Sequence, residues 1–99
     1  MKGRTTSGVM PDLVPPMQAV SGDLPTGPGW AVEFAWDGLR CIAYAGAGRA
    51  RLLTARDRSV TATFPELGVL GDKAPRGGLV LDGTVVALDH AGIPSRRLL

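Results

Sequence analysis

Glu33-Phe34-Ala35-Trp36-Asp37-Gly38-Leu39-Arg40 is the stretch on which the reading of this chain turns. Asp37-Gly38 is a strong turn signal between two strand-like runs. Upstream, Ala31 to Trp36 alternates as a strand does, and downstream Arg40 to Ala45 forms the return strand. A period of two sets Trp30 and Trp36 on one face, where core packing is expected rather than base stacking. Gly46-Ala47-Gly48 turns the chain into a third strand over Ala50 to Thr54. With Thr63 as a cap and Pro65 near the first helical position, Phe64 to Leu70 predicts one short helix. Gly77-Gly78 precedes an apolar strand from Leu79 to Leu88, interrupted at Asp82-Gly83-Thr84, and Asp89-His90-Ala91-Gly92 closes it with a turn. The sum is an α+β fold: a small antiparallel sheet carrying one short helix.

Residues 1–29 read differently. Pro11, Pro15, Pro16, Pro25 and Pro28 are spaced too closely for a helix or a central strand. The segment is expected to be an extended arm with turns, Met1 to Gly8 mobile, and Val14-Pro15-Pro16-Met17 a candidate strap across the body. The domain division is therefore an arm over 1–29 and a body over 30–99.

At 99 residues the chain is one small domain or a part of a larger one, and 44% apolar residues are enough for a core. A net charge of +2 falls well short of a committed nucleic-acid binder. Among the 11 basic side chains only Lys2 and Lys73 are lysines. Cys41 is the single cysteine, so an intrachain disulfide and a cysteine metal site are both excluded. It lies in the apolar run Leu39 to Ala45, where a buried, inert thiol is expected. One histidine, His90, excludes a His-pair metal site. No apolar stretch reaches the roughly 20 residues of a membrane helix, and no signal-peptide core opens the chain. A cytoplasmic protein is the expectation.

The opening stretch resembles the E-x-K-x-D-G-x-R motif of ATP-dependent DNA ligases and related nucleotidyltransferases. Three further segments fall in the order of the front part of a ligase adenylation domain, most similar to the bacterial end-joining type. Leu52 to Leu67 looks like L-L-S-R-N-G-R-D-V-T-x-x-F-P-E-L, Val80 to Asp89 like V-L-D-G-E-I-V-A-L-D, and Ile93-Pro94-Ser95 like the segment that follows. Pro16-Met17, Leu24-Pro25 and Gly29-Trp30 match the usual lead-in, so the likeness covers roughly residues 14–99.

The departures fall where the family's chemistry sits. The resemblance implies a nucleophilic lysine at Ala35, an arginine touching nucleotide or DNA at Ala55, and a glutamate holding ribose or a divalent ion at Thr84. A methyl group has no lone pair and forms no covalent nucleotide intermediate. The candidate binding set is Glu33, Ala35, Trp36, Asp37, Arg40, Ala55, Arg56 and Thr84, with no catalytic residue and no metal ligand. ATP and magnesium are implied by the resemblance, yet the degenerate motifs lead us to expect no cofactor. The family's later elements, an adenine-stacking aromatic, a second glutamate, a distal lysine motif and an oligonucleotide-binding domain, have no counterpart in these 99 residues, so ligation by this chain alone is not expected.

Each residue also has a structural reading. Glu33 and Asp37 can be solvated or turn-stabilising carboxylates, Arg40 can pair with Asp37 or Glu33, and the arginines at 49, 51, 56 and 58 can simply be a solvated sheet edge. Two functions stand side by side. One is a dead or reassigned ligase-like protein with a residual binding role toward nucleic acid, nucleotide or a partner protein. The other is an emptied nucleotide cleft reused to bind or transform a small molecule. Weak nucleic-acid binding, a small-molecule ligand and a homodimer all remain as partner classes, and a membrane does not.

Overall fold

A computed structural model describes residues 13–99. The expectation for Met1 to Gly8 and the residues Lys2 and Pro11 lie outside them. Three strands, β1 (Leu39–Gly46), β2 (Arg49–Thr54) and β3 (Leu79–Val85), form one antiparallel sheet in the order β2-β1-β3. A 3-10 turn, Pro65–Gly68, leads into the short helix α1 (Val69–Lys73) between β2 and β3. A second 3-10 turn, Arg96–Leu98, closes the chain. The expected fold class is the observed one.

The β1–β2 hairpin is joined through Ala47 (φ 52°) and Gly48 (φ 75°). Two consecutive left-handed residues match the right-handed twist of the strands they join. Its register runs from Cys41 opposite Thr54 to Gly46 opposite Arg49. On one face, Cys41, Ala43 and Leu52 pack against Val60, Phe64, Leu67 and Leu70, so the helical layer covers this side. On the other, Ile42, Tyr44 and Leu53 pack with Val80. Buried on both faces, β1 is the central strand. Gly71 sits tightly against the start of β2: a Cβ there would collide with the backbone of Arg49.

The arm supplies part of the second cover. The Val14 amide donates to the Tyr44 hydroxyl at 2.7 Å, and the Arg40 Nη1 donates to the Met17 carbonyl at 3.0 Å. Residues 14 to 17 thus strap the Tyr44 face.

Three expectations are corrected. Phe64 to Leu70 is not one helix: Pro65–Gly68 is a 3-10 turn, α1 starts only at Val69, and the N-cap positions are Phe64 and Gly68 rather than Thr63. Ala31 to Trp36 is not a strand. Both edges of β1 are occupied, by β2 and β3, so a hairpin return has no edge to pair with. Trp30 and Trp36 are accordingly 64% and 59% exposed rather than packed in a core. The expected strand over 79–88 is also different. It runs uninterrupted through Asp82-Gly83-Thr84, because those residues pair with Ile42, Cys41 and Arg40 in turn, and it ends at Val85. Beyond it, Asp89 Oδ1 accepts from the amides of Ala91 (2.8 Å) and Ile93 (3.0 Å), which builds the expected turn.

The two sheet edges differ. Outside β2, the loop folds back: the Leu52 amide donates to Thr61 Oγ1 at 2.9 Å and the Val60 amide to the Leu52 carbonyl at 2.9 Å. Among the described residues no strand pairs with the outer edge of β3.

Candidate functional site

Among the described residues, one concave feature is an open cleft of about 1220 Å³. One wall is the non-strand stretch Val32 to Trp36. The other is the sheet, through Arg40 of β1 and Asp82, Gly83 and Thr84 of β3, and Ala19 of the arm closes one end. Gly38 lets the chain pass from the first wall into β1. A Cβ at this position would collide with the Val85 carbonyl, so only glycine tolerates so close a crossing of β3.

Arg40 is the one cation lining the cleft, and its charge is paired. Nε donates to Asp82 Oδ1 at 2.7 Å and Nη2 to Asp82 Oδ2 at 2.6 Å, a bidentate pair, while Nη1 holds the Met17 carbonyl. The hydrogen bonds from Arg40 hold the Asp82 carboxyl below the usual carboxylate range, and the same bonds raise the arginine. Both groups stay ionised as a pair. Glu33 makes no hydrogen bond or ion pair among the described residues. Phe34 and Trp36 touch each other, ring centroids 5.8 Å apart at 52°, and both are largely exposed to the opening.

Of the residues singled out in the sequence, Glu33, Ala35, Trp36, Arg40 and Thr84 come together here. Asp37 does not. Its Oδ2 accepts from the Arg96 amide at 2.9 Å, and Arg96 Nη1 donates to the Gly38 carbonyl at 2.8 Å, so this carboxylate anchors the C-terminal turn. Ala55 and Arg56 stay outside as well. They lie in the turn after β2, on the far side of β1 from Thr84, where Thr54 Oγ1 accepts from the Arg56 and Arg58 amides. Arg40 pairs with neither Asp37 nor Glu33 but with Asp82, which pattern reading missed along with Ala19, Val32, Phe34 and Gly83. A signal for Asp82 existed. In adjacent antiparallel strands, residues two apart in register share a face, and Asp82 lies diagonal to Arg40 through the Arg40–Thr84 and Ile42–Asp82 pairs. Cys41 is buried beneath the helical layer, and burial pushes its thiol up, as an inert core cysteine requires.

The sequence was compared with known proteins on this background. No family model matches. The multifunctional non-homologous end joining DNA repair protein LigD of Mycobacterium tuberculosis is 42% identical over 66 residues, 67% of this chain. A probable DNA ligase of Anaeromyxobacter dehalogenans is 41% identical over 64 residues, 65% of this chain. The crystal structure of the ligase domain from M. tuberculosis LigD superposes with a TM-score of 0.58 at 39% identity, over 66% of this chain. The homologues of this chain are the ligase domain of LigD and probable DNA ligases, over about two thirds of its length. The three-stranded sheet and short helix match part of the LigD ligase domain fold, and a mycobacterial DNA ligase D complexed with ATP and MES matches in the same way, with a TM-score of 0.57. The ligase-like chain spans only 9% of LigD, 12% of the probable ligase and 22% of the solved ligase domain.

The cleft does not suit ATP and magnesium, which the likeness implies. Its wall holds two carboxylates and one arginine, and both carboxylate oxygens of Asp82 are already engaged by that arginine. Magnesium is normally shared between one or two carboxylates and the substrate's phosphates, which leaves Glu33 alone to offer it. No lysine lines the cleft. Lys73, the one lysine among the described residues, belongs to α1 on the opposite side of the sheet.

Proposed function

We propose that this chain is a ligase-like binding module that does not adenylate. The observation that carries the reading is Ala35 in the cleft wall with no lysine beside it. The resemblance to DNA ligases implies a lysine at this place, and a methyl group has nothing with which to attack a phosphate. The neighbouring arginine is paired with Asp82 rather than free to neutralise phosphate charge. What the fold retains is a concavity and no nucleophile, and binding is the function that remains to it. Native mass spectrometry of protein purified from its own host tests the reading. A ligand lost on denaturation is expected, and a covalent AMP increment would overturn it.

A second reading, reuse of the emptied cleft for a small molecule, is favoured by the small side chains of Ala19, Ala35, Gly83 and Thr84, which leave room where larger groups would fill it. Two surfaces outside the cleft support further roles. Arg49, Arg51, Arg56 and Arg58 follow β2 and its turn, a modest basic strip suited to weak, salt-sensitive nucleic-acid contact. Binding that persists in high salt would sink that role. The open edge of β3, flanked by the partly exposed Leu79 and Leu81, suits a symmetric homodimer, and a monomer mass by light scattering would remove it.

A further inference from the structure

We infer that the cleft is a site for a small organic cation with a flat apolar body rather than for a nucleotide. The inference rests on the binding reading above and names the ligand class that the cleft would take. Charge decides the sign. Arg40 and Asp82 neutralise each other, which leaves the Glu33 carboxylate and a wall of net charge −1. A triphosphate brought here would meet that charge with no unpaired cation lining the cleft to offset it, because the Arg40 charge is neutralised by Asp82 in a bidentate pair. A cation meets the opposite situation. Glu33 offers an unpaired acceptor.

Shape and surface decide the rest. Phe34 and Trp36 present tilted rings at the mouth of the cleft, 82% and 59% exposed. A ring face attracts a cation, by about 0.5–1 kcal/mol at exposed sites, and also stacks on a flat apolar body. Ala35 and Thr84 line the two walls without bulk. A carboxylate, two rings and small side chains around one open space recognise the two halves of such a ligand together.

Isothermal titration with three probes on the full chain tests this: 1-methylquinolinium as the cation, quinoline at pH 8 as its uncharged counterpart, and ATP as the anion. The cation is expected to bind tightest and ATP weakest. Amide and indole NMR shifts should be confined to residues 33–36 and 82–84. Glu33→Gln should weaken the cation about three- to fivefold and leave quinoline unchanged, as loss of one solvent-exposed ion pair does. Glu33 is exposed and unpartnered, so the variant keeps its fold, which circular dichroism checks. Equal binding of cation and neutral probe, tighter binding of ATP, shifts centred on the β2 arginines, or no binding of any probe each overturns the inference while the non-adenylating reading stands. A covalent AMP adduct in the ATP arm would instead overturn that reading and this inference with it.

Discussion

In the β1–β2 hairpin, Leu52 is 2% exposed and Ile42 3%, whereas in the stretch leading to it Phe34 is 82% exposed and Val32 78%. Both regions read as strands, the first as the apolar run Leu39 to Ala45 and the second by the alternation of Ala31 to Trp36. The hairpin has a turn with two left-handed residues, a helical layer over one face and the arm over the other. The preceding stretch finds both edges of β1 taken by β2 and β3, and its apolar side chains stay exposed. Alternation states that a segment is able to be a strand. Whether it becomes one depends on a free edge and on cover for its apolar side. Here the stretch that fails to pair becomes the wall of a cleft.

The sharpest way to break this comparison is to cut an apolar side chain from each region. Leu52→Ala should cost about 2–5 kcal/mol, since it opens a cavity in the packed layer. For a domain this small that is most of its stability, and far-UV dichroism should show a largely unfolded chain. Phe34→Ala should change the unfolding midpoint by less than about 0.5 kcal/mol, as a surface substitution does. Equal losses would mean that the Trp30 to Trp36 stretch is packed after all.

A smaller effect probes the strap. Tyr44→Phe removes the acceptor for the Val14 amide and should cost about 0.5–1.5 kcal/mol. Amide exchange at residues 14–17 should speed up while the β1–β2 ladder stays protected. Unchanged exchange in the arm would show that Tyr44 does not hold it.

How far the sequence carried this account follows from the same physics. The hairpin turn, β2, the helical turn at Pro65 and the Asp89 turn are specified by neighbours in the chain: Gly48 at a left-handed position, Pro65 at the start of the 3-10 turn that leads into α1, and a side-chain acceptor at Asp89. Local signals of that kind are legible. The strap was legible as a candidate, because its prolines exclude other structures. The fate of Ala31 to Trp36 was not, since it depends on β3, some forty residues later, taking the second edge of β1. The partner of Arg40 was hidden for the same reason. Asp82 is 42 positions away, and only the register joins them. Glu33, Ala35, Trp36, Arg40 and Thr84 could be gathered from motif order alone, whereas Asp37 was drawn off by Arg96, which no short-range pattern announces.

The smallest expected effect lies in the acid limb of stability. Arg40 lowers the pKa of Asp82 in the folded state, so the pair's contribution is present above the ordinary carboxylate range and is lost as pH falls through and below it. The alkaline limb is untouched until arginine itself deprotonates. The two side chains are 38% and 50% exposed, so the effect is modest and screened by salt. Asp82→Asn should flatten the decline of the unfolding midpoint toward acid pH. An unchanged acid slope would assign the decline to other carboxylates.

The most direct test of the account is to return the missing nucleophile. The native chain and an Ala35→Lys variant, each incubated with α-labelled ATP and magnesium, should both remain free of protein-bound AMP. In the native chain the methyl group offers no lone pair, and in the variant the new amine would sit beside Glu33 with Arg40 still tied to Asp82. Stable label on the native chain would contradict the central claim outright. Label on the variant alone would show that the cleft still gathers a nucleotide's phosphates, and that Ala35 was the only barrier.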